Sequence, residues 1–325
     1  MRRYIVKTIY HPVFQQVPII EPVLIELEQS IAIQRLKKID QSGAPRYFID
    51  NFPKYSRYEH SIGVYELLRC YDCTLDEQIS GLLHDASHTA FSHIAELLYK
   101  DRNDLSTSYQ DDILIWYLQQ QGIDRLLNKY SFALHDLDPQ NNKFLALEQE
   151  LPNLCADRIE YNLHHAVVHK LITLDDVGVI LSNLKFHDNN WFFTDTNTAK
   201  KFAELSLYFS EKVWGAGWNL EIYKRFATVL LDALNRNIID EHELHFSSDM
   251  EVLDKLDSAK DTQITELLDR CRNFNINNEY LDKDIKAKFR GVDPFVLIGD
   301  SLKRLSSIDD DFAKRYLHVK QVIST

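Results

Sequence analysis

The segment His84-Asp85-x-x-His88-x4-His93 places three histidines and an aspartate within ten residues. The adjacent His84 and Asp85 aim an imidazole nitrogen and a carboxylate oxygen at one point, and this mixed pair suits a borderline divalent cation such as Mn²⁺, Fe²⁺ or Zn²⁺. His88 follows His84 by four residues, so the two rings share one face if the preceding helix continues through this segment. The pattern predicts a metal site with further histidines beside it.

Distant residues extend this constellation. His60 lies 24 residues before the His-Asp pair, near the start of the preceding predicted helix, and Asp157 lies far downstream in LCADRIEYNLHH. On a helix, Tyr161, His164 and His165 follow Asp157 at offsets of four, seven and eight, and therefore share its side. Two neutral histidines and two carboxylates leave a divalent ion near formal neutrality. Its open positions could hold a water and phosphate oxygens, and the ion would lower the pKa of that water.

Four local stretches resemble the HD-domain metal-dependent phosphohydrolases, whose pattern is H…HD…D. Within that superfamily they are most similar to the deoxynucleoside triphosphate triphosphohydrolase branch. The stretches are IQRLKKIDQSG, SRYEHSIGV, LLHDASHTAFSH and DMEVLDKLDSAK. The resemblance spans about residues 4–300 and is weak between 94 and 150 and between 170 and 245. It implies a mainly α-helical HD-domain core with small β-hairpin additions.

The resemblance also implies roles for particular side chains. The implied metal ligands are His60, His84, Asp85 and Asp157. His88 and His93 are placed beside the scissile phosphate as acid, base or charge stabiliser. The residues implied to face a nucleotide are Gln41, Arg57, Arg158 and Tyr161. Trp214 is a candidate for packing on the base, since the family has an aromatic residue nearby. The implied cofactor is one divalent ion, with Mn, Fe, Zn, Ni, Co and Mg all left open.

The chain also departs from the triphosphohydrolase pattern. Arg158 stands where many members have Lys, and His165 stands where they have an acid that contacts the sugar. A neutral imidazole can accept through one nitrogen and donate through the other, and it becomes cationic below about pH 6.5. We therefore expect His165 to bind the substrate too, and to favour an extra anionic group over an ordinary sugar hydroxyl.

These observations favour metal-assisted hydrolysis of a phosphate ester or anhydride, with a nucleotide as the small-molecule substrate. A deoxynucleoside triphosphate triphosphohydrolase is one reading. Two alternatives stay open: a nucleotide monophosphate or cyclic-nucleotide phosphoesterase, and a non-catalytic HD module that senses a nucleotide.

Composition narrows the classes of protein. The chain has 325 residues, of which 45% are apolar and 26% charged, with a formal net charge of −12. An acidic surface argues against a nucleic-acid coat, which needs a cationic face. We find no apolar run long enough for a membrane span and no secretory signal, and the four cysteines are unpaired in pattern. We therefore expect a cytoplasmic protein. A homo-oligomer is expected by analogy alone.

Helical periodicity dominates the chain and predicts no parallel sheet. Helices are predicted at 22–43, 59–70, 74 into LLHDASH, 108–121, 152–170, 197–213, 219–237, 249–272 and 277–288. Gly43 is interpreted as the residue that ends the helix at 22–43. Thr74-x-x-Glu77 is interpreted as the capping box of its helix, and Pro152 as a residue of the first turn of the helix at 152–170. Strands are predicted in IVKTIY, VPII, WFFT and FVLI. We expect a catalytic core over 1–245 and a helical lobe over 246–325 packed on it.

Overall fold

A computed structural model describes residues 6–100, 108–277 and 287–324 of the chain. Most of these residues are helical. Helices α1–α15 are Pro22–Glu28, Ile31–Arg35, Pro45–Phe48, Arg57–Cys70, Leu75–Leu83, Tyr109–Gln120, Ile123–Asn128, Ala156–Val168, Leu174–Asn183, Thr196–Phe209, Gly217–Asn235, Glu241–Phe246, Asp249–Ser258, Thr262–Arg272 and Asp310–Ser324. Short 3₁₀ turns occupy Leu36–Lys38, Leu134–Leu137 and Leu305–Ser307, and π-helical turns occupy Glu96–Lys100 and Ser210–Trp214. The predicted mainly α class is confirmed.

Two small sheets accompany the helices. Strands β1–β6 are Lys7–His11, Gln15–Ile19, Leu184–His187, Asn190–Phe193, Phe295–Ile298 and Ser301–Arg304. The first two form the predicted N-terminal hairpin. The other four form one sheet in the order β3-β4-β5-β6. The β4–β5 pair is parallel, so the expectation of no parallel pairing was wrong. Local periodicity could not show this pairing, because the two strands lie about a hundred residues apart in the chain.

The predicted helix over 22–43 is broken into pieces. It ends at Glu28, and Ser30 caps a new helix by accepting a hydrogen bond from the Ile33 amide. Gly43 does not end a helix. It lies in a turn with φ +59°, where a Cβ would come within 2.2 Å of the Phe91 carbonyl oxygen. This glycine is required by close backbone approach.

The helix before the His-Asp pair ends earlier than predicted. Helix α5 stops at Leu83, and residues 84–88 form turns. His84 and His88 therefore do not share a helix face. Thr74 does cap α5, but Glu77 does not complete the box, because its carboxylate accepts from the amides of Ala146 and Leu147. These two long-range hydrogen bonds take the place of the local hydrogen bond that Glu77 would accept from the Thr74 amide in a capping box.

Three other helix predictions need correction. The helix predicted from 152 begins at Ala156, so Pro152 lies in the turn before it. The predicted helix over 249–272 breaks where Lys260 adopts φ +52° and Asp261 caps α14. The predicted helix over 277–288 falls almost wholly outside the described residues, and 287–288 are not helical.

Buried apolar side chains form two clusters. One surrounds α4, α5, α8 and α10 and reaches the C-terminal β5 and α15. The other packs α11 against α13 and α14 and includes Phe91. The buried Asp249 carboxylate joins the second cluster to the first, since it accepts from the Asp40 amide, the Phe91 amide and the Tyr47 hydroxyl. The division of the chain at residue 245 stays a prediction.

None of the helices in the described ranges has both the length and the apolar character that crossing a bilayer requires.

Candidate metal centre and adjoining cavity

Helix α4 places the first site residues. Ser56 and Glu59 form a complete capping box, with the Glu59 carboxylate accepting from the Ser56 amide at 2.7 Å and Ser56 Oγ accepting from the Glu59 amide. This cap starts the helix at Arg57, one turn before His60. The Arg57 amide also bonds to the Ile39 carbonyl, which brings the segment around residue 41 beside the helix start.

The four predicted metal ligands converge in the structure. His60 Nε2 lies 3.2 Å from His84 Nε2, 3.5 Å from Asp85 Oδ2 and 3.0 Å from Asp157 Oδ1. His84 Nε2 lies 3.6 Å from Asp85 Oδ1 and 3.7 Å from Asp157 Oδ1. Ligand atoms about 2.1 Å from one ion are separated by about 3.0–3.4 Å at right-angled to tetrahedral geometry. The His60–His84 and His60–Asp157 separations fall in this range. His60, His84 and Asp157 form a group whose ligand atoms all lie within 4.8 Å of one another, and Asp85 lies beside this group.

The tautomers of the two histidines explain why a cation belongs between them. His60 Nδ1 donates to the Glu160 carboxylate, and His84 Nδ1 donates to the Gly81 carbonyl at 2.7 Å. In each neutral ring the proton is then on Nδ1, so Nε2 presents a lone pair. Two lone pairs face the carboxylates of Asp85 and Asp157 with no donor between them. This set of acceptors suits a divalent ion.

The pKa values of His60 and Asp157 also indicate that a positive charge is stabilised between these side chains. Burial by itself would lower the pKa of His60, but the carboxylates of Glu160, Asp157 and Asp85 raise it to about 10. Burial also disfavours the ionised form of Asp157, yet hydrogen bonds from His60 and His84 hold its pKa well below its usual range. The site is thus an electron-rich pocket that binds either protons or a metal ion.

Asp85 belongs to two networks. Its Oδ2 accepts from Arg57 Nη1 at 2.6 Å, and its Oδ1 lies 3.2 Å from His88 Nε2. Burial would raise the pKa of Asp85, but Arg57, followed by His84 and His88, holds it well below its usual range. The ionised carboxylate can therefore face the ion while its remaining lone pairs are satisfied.

His93 is held by a different pair of partners. Arg57 Nη2 donates to His93 Nε2 at 3.1 Å, because a guanidinium has only donors. The ring proton then lies on Nδ1, which is 3.3 Å from Glu96 Oε1. The His93 and His88 ring centres are 5.2 Å apart. Both rings stay neutral near pH 7, since burial and then Arg57 lower the pKa of His88 to about 4 and that of His93 well below its usual range.

Glu160 is a site residue that the sequence analysis missed. Its fully buried carboxylate accepts from His60 and, at 2.8 Å, from His164 Nδ1. Gly63 makes room for it, because a Cβ there would lie 2.6 Å from the Glu160 side chain. Its spacing could have found it, since it lies one helical turn after Asp157. His164 thus faces the interior.

A cavity lies beside His93 and Tyr161, and none of the four proposed metal ligands is among its lining residues. It is lined by Gln41, Ser42, Phe52, His93, Tyr161, His165, Val213, Trp214, Asn219, Tyr223, Ala287, Lys288 and Arg290. Among the sequence-predicted substrate residues, the structure brings Gln41, Tyr161 and His165 to this lining, together with His93. Trp214 lines it as well, with its ring 5.2 Å from that of Tyr161. The aromatic side chains suit stacking on a flat ring.

The two predicted arginines do not line the cavity. Arg57 is 2% exposed. Its guanidinium donates four hydrogen bonds, which go to the side chains of Asp85, His93 and Ser92 and to the backbone carbonyl of Gln41. Arg158 Nη2 donates to Glu148 at 2.7 Å, and its Nη1 lies 3.2 Å from Cys155 Sγ. Their predicted contacts with a nucleotide stay predictions. In this structure both arginines bind protein groups instead.

His165 is neutral in this cavity. Burial first, and then the neighbouring imidazoles of His169 and His164, hold the pKa of His165 well below its usual range. The ring therefore stays neutral at pH values below the ordinary imidazole pKa of 6.5. Its Nδ1 is buried, and no group in the described part of the chain forms a hydrogen bond with it.

Lys288 and Arg290 are cavity residues that the sequence analysis also missed. They precede Gly291 in the stretch AKFRG, and no local pattern relates them to the His-Asp segment two hundred residues earlier.

Comparison with known proteins finds relatives that match most of the chain. The chain is 30% identical over 303 residues to the uncharacterized protein YdhJ of Bacillus subtilis, covering 91% of this chain and 90% of that protein. It is 28% identical over 289 residues to the metal-dependent phosphohydrolase cns2 of Cordyceps militaris, covering 85% and 81% respectively. The chain belongs to the HD-domain metal-dependent phosphohydrolases. As a member of this family it is a hydrolase with a metal ion at its active site.

Two further comparisons refine the picture. A phosphohydrolase from Bacteroides thetaiotaomicron shares the fold at a TM-score of 0.69 and 15% identity, over 94% of this chain and 95% of that one. The deoxynucleoside triphosphate triphosphohydrolase SAMHD1 of Xenopus laevis is 33% identical over 90 residues, which is 23% of this chain and 14% of that protein. No family model matches the chain.

Proposed function

We propose that this HD-domain phosphohydrolase hydrolyses a phosphate ester or anhydride of a nucleotide, with one divalent ion held by His60, His84, Asp85 and Asp157. The observation that carries this proposal is the convergence of two imidazole lone pairs and two carboxylates beside a cavity with aromatic walls. Nitrogen and carboxylate donors together favour Mn²⁺, Fe²⁺ or Zn²⁺ within the wider set of divalent ions. The bound ion would supply an activated water and offset charge on the phosphoryl group.

The side chains around the proposed ion have different roles in the proposed reaction. His88 and His93, both neutral, lie beside the proposed ligands and can accept or return a proton. Arg57 fixes His93 and Asp85 in one arrangement through its two terminal nitrogens. Tyr161 and Trp214 offer aromatic surface, and Gln41 offers an amide, for the nucleoside part of the substrate.

A deoxynucleoside triphosphate is a specific candidate substrate, supported by the four motif stretches and by the partial similarity to SAMHD1. His165 counts against a plain transfer of that specificity. A neutral imidazole holds a sugar hydroxyl less strongly than the carboxylate that the resemblance implies at this position. We therefore favour a nucleotide with a different phosphate or sugar substitution.

Metal analysis of the purified protein, followed by a phosphate-release screen, tests the proposal. The panel should contain nucleoside mono-, di- and triphosphates, deoxynucleoside triphosphates and cyclic nucleotides, each with Mn²⁺, Fe²⁺ or Zn²⁺. We expect stoichiometric metal and release of phosphate, pyrophosphate or triphosphate from at least one nucleotide. Retained metal with no turnover on any of them would favour a nucleotide-sensing module.

A further inference from the structure

Two positively charged side chains line the cavity, and the nearby carboxylates of Glu148 and Asp111 favour the charged form of Lys288 without forming a salt bridge with it among the described residues. Lys288 and Arg290 are both half-buried, and neither forms an ion pair or hydrogen bond with any residue that the structure describes. A charge withdrawn from water without a partner costs free energy. Such an arrangement is favourable overall when an anionic ligand completes it.

The two charges also lie close to each other. The pKa of Lys288 is lowered first by the positive charge of Arg290 and then by burial. Both side chains line the same cavity as His93, and Arg290 is near enough to contribute to the low pKa of that histidine. The cavity is therefore positive on the side that His93 lines.

Other cations near the centre are already committed. Arg57 is paired with Asp85 at 2.6 Å, and Arg158 is paired with Glu148 at 2.7 Å. Breaking the Arg57 pair would leave the buried Asp85 carboxylate without its cation, which is costly. A phosphate that extends from the metal centre into the cavity would therefore meet Lys288 and Arg290 as its free donors.

We infer that Lys288 and Arg290 bind the phosphate groups of the substrate. The inference rests on the proposed function, because it takes the cavity to be the substrate site of the phosphohydrolase. Arg290 offers a planar fork that matches two phosphate oxygens, and Lys288 offers a compact charge. The ligand class is a phosphate or polyphosphate group with at least two negative charges, carried by the nucleotide.

Binding of inorganic pyrophosphate to the Mn²⁺-loaded full-length protein tests this inference by calorimetry. Lys288→Gln and Arg290→Gln should each weaken pyrophosphate binding by about tenfold to a hundredfold, as expected for loss of a charge-assisted hydrogen bond. Lys303→Gln and Arg125→Gln serve as matched controls, because these two residues are exposed and do not line the cavity. The controls should bind pyrophosphate as the unmodified protein does.

Two comparisons decide the outcome. Lys288→Arg keeps the charge and should retain most pyrophosphate binding, whereas Arg290→Lys keeps the charge but loses the planar fork and should bind with an affinity between those of Arg290→Gln and the unmodified protein. Partial or full retention in these two variants shows that the loss in the glutamine variants is not a failure to fold. Unchanged pyrophosphate affinity in both glutamine variants, with normal metal content, would overturn the inference while leaving the proposed function intact. Conversely, absence of phosphate release from every nucleotide would refute the proposed function, while a loss of pyrophosphate binding in these variants would still support an anion site.

Discussion

Glu160 fixes the orientation of His60: its buried carboxylate accepts the Nδ1 proton of that ring and so turns Nε2 toward His84 and Asp157. The same carboxylate accepts from His164, and burial, which would raise its pKa, is outweighed by His164 and His60, which lower it to about 2. A carboxylate behind a metal-binding histidine fixes the tautomer and raises the basicity of the ligand.

Glu160→Gln should therefore weaken metal binding. His60 and His164 donate to different oxygens of the carboxylate, and in glutamine one of these oxygens is replaced by an NH2 group, which can only donate. We expect Mn²⁺ affinity, measured by equilibrium dialysis, to fall by about tenfold to a hundredfold. Glu77→Gln is the matched control, because Glu77 is also a buried carboxylate that accepts two hydrogen bonds but lies outside the site. Equal affinities in Glu160→Gln and in the unmodified protein would show that Glu160 does not orient a ligand.

Asp85→Ala should abolish most bound metal. The substitution removes a carboxylate that lies within 3.6 Å of both histidine Nε2 atoms and also leaves Arg57 unpaired. Elemental analysis of the purified variant gives the measurement. Asp188→Ala is the control, since Asp188 belongs to another His-Asp pair that is exposed. Full metal occupancy in Asp85→Ala would mean that the ligand assignment is wrong.

His93→Ala should retain the metal and lose turnover. His93 lies in the cavity and contacts Arg57 and Glu96, and it is not among the proposed ligands. Loss of a proton-transfer group costs about 10²–10⁴-fold in rate. Turnover and metal content are measured on the same sample, with His135→Ala, at an exposed histidine, as the control. If metal is lost in parallel with activity, His93 takes part in a second or larger metal site.

His165→Asp should shift preference toward deoxynucleoside triphosphates. The unmodified protein is expected to hydrolyse them slowly or without selectivity, because a neutral imidazole forms only a weak hydrogen bond with a sugar hydroxyl. An aspartate restores an ionised acceptor at a position that lines the cavity. The ratio of kcat/KM values for a deoxynucleoside triphosphate and for the best substrate measures the shift. His165→Asn, which is neutral, should not produce it. Selective hydrolysis of deoxynucleoside triphosphates by the unmodified protein, unaltered by this change, would disprove the idea.

Asp40→Asn should stabilise the protein at alkaline pH. Burial, and then the nearby Asp249 carboxylate, raise the pKa of Asp40 to about 8, whereas Asp249 itself is raised to about 6 by burial. Because the folded state holds these protons more tightly than the unfolded state, the free energy of unfolding decreases as pH rises from about 4 to about 8.

For Asp40 alone the loss between pH 6 and pH 8 is about 2 kcal/mol. Urea unfolding at several pH values should show a shallower decrease in Asp40→Asn, while Asp136→Asn, at an exposed position, should keep the slope of the unmodified protein. A pH dependence that is identical in both variants would exclude Asp40 as its source.

The helical class and the residue types at the proposed metal centre could be predicted from the amino-acid sequence. Helix periodicity is local, and His60, His84, Asp85 and Asp157 stand in short motifs whose chemistry is recognisable without neighbours. The boundaries were less well predicted: helix α5 ends at Leu83, before the His-Asp pair, and Ser30 and Asp261 each cap a new helix inside a segment predicted to be continuous.

Folding, and not the local sequence, sets which charged side chains are available to a ligand. Arg57 and Arg158 have the right type for phosphate, but each is paired with a carboxylate brought close by folding. Lys288 and Arg290 come from a segment without a motif and remain unpaired among the described residues. Whether a charge is free depends on its neighbours in space, and those neighbours are set by long-range packing that no local pattern contains.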